Sequence, residues 1–64
     1  MMTQLEYCLQ VIENAKARGN RSCQVPIWAE PETIAALTKM EFKVQQIGFD
    51  KMDPSHYLKL NFSL

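Results

Sequence analysis

Tyr57-Leu58-Lys59-Leu60-Asn61-Phe62-Ser63-Leu64 alternates polar and apolar residues without a break. Leu58, Leu60, Phe62 and Leu64 fall on one side of an extended chain; Tyr57, Lys59, Asn61 and Ser63 fall on the other. A period of two with one apolar side is the pattern of a strand that buries one face. The run contains no proline, so both of its edges can pair. Such a strand is expected in the middle of a sheet, and the upstream segments can be arranged around it.

Moving back along the chain, Phe42 and Val44 begin a second strand, with Lys43 and Gln45 outward. The next apolar residues are Ile47 and Phe49 rather than Gln46, which predicts a bulge or a departure from the core. Gly48 to Ser55 is a loop, with Asp53-Pro54-Ser55 as turn chemistry. Earlier still, Cys23, Val25 and Ile27 alternate with Ser22, Gln24 and Pro26. Proline cannot donate to a ladder, so either this strand lies at an edge or the proline faces away from the pairing side, and the edge is the placement taken here.

Two helices complete the chain. Thr3-Gln4-Leu5-Glu6 fits a capping box, with Met2 and Tyr7 at the staple positions. Leu5, Cys8, Leu9, Ile12 and Ala15 then recur at helical spacing, and Gly19 supplies a left-handed stop. A helix is predicted over 4–18. Glu30-Pro31-Glu32 opens a second, with proline at the first position and acids at the positive end. Ile34 and Leu37 are expected to face inward, with Met40 as a further candidate, and the helix to end near Met40. The order is αβαββ. The first and second strands are expected to run parallel through a right-handed crossover. The expected fold is α+β: a three-stranded mixed sheet of order 1-3-2 with two helices on one face, forming one domain over 1–64.

Composition narrows the function classes. The 64 residues are 47% hydrophobic and 22% charged, a globular profile. Seven basic residues balance seven acidic ones, so the chain lacks the net field that drives non-specific nucleic-acid binding. No apolar run approaches the roughly 18 residues of a membrane span, and the N-terminus lacks a signal-peptide pattern. The expected location is cytoplasmic, and Cys8 and Cys23 are expected as reduced core residues. A domain this small buries only about 60% of its unfolded surface, so a partner is an expected source of added stability.

The run Ala17-Arg18-Gly19, a short strand, Pro31-Glu32-Thr33-Ile34-Ala35-Ala36-Leu37, Phe42-Lys43-Val44 and Leu58-Lys59-Leu60-Asn61-Phe62 resembles the small αβαββ proteins of tailed bacteriophages. The resemblance is one of pattern over most of the chain and carries no specific motif. It implies a phage accessory or virion-associated role, in the virion or the host cytoplasm, and brings no catalytic residue. Those proteins usually carry glycine before the aromatic of the second strand. Here Glu41 stands in its place, so the second helix is expected to end without the residue best suited to a left-handed turn.

Catalytic and metal chemistry find little support in the residues. His56 is the sole histidine, beside a turn. Cys8 and Cys23 fall on apolar faces, where thiols are not activated. No ligand cluster and no glycine-rich phosphate loop occurs, so no cofactor, no metal and no enzymatic activity are expected. Lys16, Arg18 and Arg21 form a small basic cluster, and the outward sheet face carries Lys and Tyr. An RNA-binding sheet usually offers two or three aromatics, and this one offers Tyr57.

Trp28, Ile47, Phe49, Met52 and Tyr57 are left over once the core is assigned. They suit either a secondary core under the loop or the centre of a protein interface. Trp28 is expected at the end of the first strand, on the face opposite Val25 and Ile27. The expected function is non-catalytic protein binding, to a virion component, a host protein or copies of itself, with these five residues as the binding set. The alternative is an inhibitor of a host or anti-phage defence enzyme, and the third reading is a small RNA-binding protein. Open sheet edges offer a second route to a partner.

Overall fold

The computed structural model describes residues 2–62. Helix α1 spans Gln4–Ala17, strand β1 Ser22–Val25, helix α2 Pro31–Lys39, strand β2 Lys43–Ile47 and strand β3 Tyr57–Asn61. The sheet has the order β1-β3-β2. Its class, its order and the packing of both helices against it are as the alternation predicts. The sheet is not mixed, however. β1 and β2 run the same way, but β3 separates them, so both hydrogen-bonded pairs are antiparallel. Ser63 and Leu64, expected to continue β3, lie outside the described residues.

The α1 capping box forms as its spelling predicts. Thr3 Oγ1 accepts from the Glu6 amide at 3.1 Å, and Glu6 Oε1 accepts from the Thr3 amide at 3.3 Å. Both helices end in the same two-bond motif. In α1, the Asn20 and Gly19 amides donate to the Ala15 and Lys16 carbonyls, with Gly19 at φ 80°. In α2, the Phe42 and Glu41 amides donate to the Leu37 and Thr38 carbonyls, with Glu41 at φ 70°. The left-handed turn is therefore made without glycine, and Glu41 carries the steric cost of its Cβ there.

Cys8, Ile12, Val25, Leu37, Leu58 and Leu60 form the centre of the core. Phe62 and Ala15 close one end of it. Leu5, Leu9, Ile27, Ile34, Phe42 and Val44 are half-buried and pack around the rim. The alternation missed Ala29, which is 2% exposed.

Of the two outcomes expected after Val44, β2 shows no bulge, and Ile47 instead points away from the core. The register runs unbroken from Lys43↔Asn61 to Ile47↔Tyr57. Gln46 takes the inward position that the pattern reserves for an apolar residue, opposite Leu58. Its Oε1 accepts from the Ala29 amide at 2.8 Å. A polar side chain can be turned inward here because it meets a backbone donor that would otherwise be buried without a partner.

The same linker is held from the other side. Gln4 Nε2 donates to the Trp28 carbonyl at 3.2 Å, and Gln4 Oε1 accepts from the Glu30 amide at 2.9 Å and from Thr33 Oγ1 at 3.2 Å. Glu30 makes no side-chain cap of its own, so Gln4 supplies the acceptor at the start of α2.

The ladder also explains Pro26. The Phe62 amide donates to the Arg21 carbonyl at 3.0 Å. Because bonded and non-bonded pairs alternate, Cys23 and Val25 also turn their backbone groups toward β3, and Ser22 and Gln24 turn theirs away. Pro26 falls in the outward-turned phase, where the missing N–H costs the ladder nothing. The Ile27 amide donates to the Val25 carbonyl at 2.8 Å, a tight turn about Pro26 that ends the strand before Ile27.

Gln46→Leu keeps the volume but leaves the Ala29 amide without its acceptor. The expected loss is about 1–3 kcal/mol in urea melts; an unchanged midpoint would show that the linker does not depend on this bond. Glu41→Gly relieves the left-handed strain, against glycine's larger unfolded-state entropy. The expected gain is about 0.5–1 kcal/mol, read as a higher melting temperature.

Candidate binding surface

The loop between β2 and β3 is organised by one carboxylate. Asp53 accepts from the Ser55 amide and the Phe49 amide, each at 2.9 Å, and from the Ser55 hydroxyl at 2.8 Å. These bonds favour the charged form, in the order Ser55 amide, Phe49 amide, Ser55 hydroxyl, and hold the carboxyl down to about 2. Asp50 Oδ1 accepts from the Met52 amide at 2.9 Å, and the Asp53 amide donates to the Asp50 carbonyl. His56 Nδ1 lies 2.6 Å from the Asp53 carbonyl, so this nitrogen carries the proton. A Cβ at Gly48 would lie 2.6 Å from His56 Cβ and 2.8 Å from His56 Cα, so only glycine lets the two ends of the loop approach.

On this braced loop, Phe49 is 88% exposed and Met52 80% exposed. They do not form a secondary core under the loop. Ile47 and Tyr57 are a cross-strand pair where the loop begins and ends, on the sheet face away from the helices, and both are half-buried. These four of the five expected residues are therefore grouped on one end of the sheet, its open face and the adjoining loop.

Trp28 is not among them. β1 ends at Val25, and the turn at Pro26 breaks the alternation that was expected to carry Trp28 to the outer face. Its ring instead meets His56 edge-on, with centroids 6.1 Å apart and planes at 79°. Gln4 of α1 bonds the Trp28 carbonyl, so Trp28 lies where α1 meets the approach to β3.

The basic cluster is divided. Lys16 Nζ lies 5.5 Å from the Phe42 ring centroid and 5.6 Å from that of Phe62, rings that themselves meet edge-on. Lys16 is thus engaged as a cation over aromatic faces, capping the end of the core. The thiols of Cys8 and Cys23 are free, and burial pushes both above the ordinary range, which disfavours the nucleophilic thiolate. Among the described residues no group of three or more His, Cys, Asp or Glu side chains is placed to hold a metal. No helix among them is long and apolar enough to cross a membrane.

One further surface feature was not visible in the sequence. A groove of about 360 Å³ runs between α1 and the free edge of β1, lined by Val11, Asn14, Ala15, Arg18, Asn20, Ser22, Cys23 and Gln24. Val11, Asn14 and Arg18 form one helical stripe by their spacing, but only the tertiary packing sets that stripe beside a strand edge.

No family model, no curated protein and no solved structure matches this chain.

The Asp53 carboxyl is held lower in the fold than in the unfolded chain, where it titrates near about 4. Its contribution to stability is therefore complete above about pH 4 and is lost as pH falls from there through about 2. The Phe49 and Ser55 amide resonances should titrate in that window in wild-type protein. Asp53→Ala should abolish their titration and increase hydrogen exchange at both amides; unchanged exchange would mean that other contacts hold the loop.

Proposed function

We propose that the protein is a small non-catalytic protein-binding module, acting as a phage accessory or virion-associated structural protein. The observation that carries this reading is the pair Phe49 and Met52, large apolar side chains exposed on an internally bonded loop. A loose loop could fold such residues away; this loop's own hydrogen bonds hold the backbone that presents them. Preorganisation of this kind lowers the entropy lost on binding. Aromatic and methionine side chains are also types enriched at the centres of protein interfaces. Ile47 and Tyr57 extend the same end of the molecule with further apolar surface. The pattern-level resemblance to small phage proteins supplies the virion context, and the same surface would serve the alternative role of host-enzyme inhibitor.

The test begins with mass spectrometry of purified particles beside a pulldown from host lysate. A virion part is expected in many copies per particle, whereas an inhibitor would accompany one host protein. Phe49→Ala should then weaken binding to the identified partner by about thirtyfold, equivalent to about 2 kcal/mol. Its own unfolding free energy should change by about 0.5 kcal/mol or less, because the side chain is exposed. A large fall in stability with binding intact would overturn the assignment of this surface.

A further inference from the structure

We propose that the free edge of β1, together with the groove beside α1, is a strand-addition site for an extended segment of another protein that carries a carboxylate. The surface is separate from the Phe49 loop and does not depend on its role.

The backbone supplies the first reason. Ser22 and Gln24 turn their N–H and carbonyl groups away from β3, and among the described residues these groups meet no partner. They are two residues apart, about 7 Å along the strand, which is the repeat of an extended chain's own donors and acceptors. An added strand can therefore pair at both positions. Pro26, next in the same outward phase, offers no donor and limits the site to a short segment.

The groove supplies the second reason. Cys23 is half-buried and forms its floor, while Asn14, Arg18 and Asn20 give it polar walls. Arg18 is the one charged residue in the lining, and no acid accompanies it. A carboxylate on the incoming segment, either a side chain or a chain end, is the complementary group.

A second copy of this chain fits the edge poorly. Pairing two β1 edges about a two-fold axis would place the strands about 5 Å apart with both α1 helices on the same side. Packed helices need about 8–10 Å between axes, and each α1 already lies over its own β1. A lone extended segment brings no helix. Nucleic acid lacks the alternating amide donors and acceptors that the edge presents.

A displayed library of random octapeptides with free C-termini, selected on the full chain, provides the probe. Enriched sequences should alternate β-branched residues and carry a carboxylate. A synthetic copy of the best sequence, followed by fluorescence anisotropy, should lose at least tenfold in affinity toward Gln24→Pro and toward Arg18→Ala. Gln24 does not use its N–H in the ladder, so Gln24→Pro should keep its circular dichroism spectrum. Alternate backbone N-methylation of the peptide should abolish binding without altering the protein at all. Phe49→Ala should leave peptide affinity unchanged, which separates this site from the loop surface. Failure to enrich any sequence over an unrelated domain, binding that survives N-methylation, or amide shifts that spare Ser22 and Gln24 would each overturn the proposal.

Discussion

Residues 26–30 link the edge strand to the second helix, and the architecture turns on how the backbone of 28–30 is satisfied. Gln4 reaches across from the start of α1 and Gln46 from the end of β2. Between them they bind the Trp28 carbonyl and the Ala29 and Glu30 amides. Three elements distant in sequence are thereby tied at one point. Without Gln46, the buried Ala29 amide would have no partner in either helix or sheet. The apolar core supplies most of the driving force; the two glutamines decide where α2 begins relative to the sheet.

The neighbouring loop between β2 and β3, at the same end of the sheet, follows a different logic. There the chain satisfies itself locally: Asp53 and Asp50 bond to amides within a few residues of themselves. A loop built this way needs no contribution from its large side chains. Phe49 and Met52 are consequently available to solvent, while Gly48 and His56 approach too closely for any side chain at residue 48. Long-range bonding in the linker and local bonding in the loop thus meet at one end of the sheet, in adjoining segments.

Most of the fold was legible because several signals agreed. The capping box, Pro31 at a helix start, Gly19 at a helix end and the alternation through Leu58 and Leu60 all point to the observed elements. The strand order followed from the proline in one strand and its absence from another. What escaped was long-range polar chemistry. Gln46 looks like a break in phase when hydrophobicity alone is scored, because its backbone partner lies 17 residues away. Gln4 looks like a solvent-facing helical residue for the same reason. Alternation carried past Pro26 points Trp28 to the outer face, but the turn about Pro26 ends the strand first. Of the proposed binding set, Ile47 and Tyr57 meet as a cross-strand pair, a register that the apparent slip after Val44 hides from the sequence. The exposure of Phe49 and Met52 could not be read without knowing that the loop bonds to itself.

The position of β3 has a consequence for how the chain is made. It is the last of the five elements to be synthesised, yet both other strands pair only with it. β1 and β2 have no neighbour until Tyr57–Asn61 has left the ribosome, and the apolar sides of α1 and α2 have no sheet to cover. The domain therefore cannot assemble progressively from its N-terminus. Closing the sheet waits for β3 and then makes long-range contacts at once, so a nascent chain leaves Val25, Leu37 and Val44 without their sheet neighbours until that strand emerges.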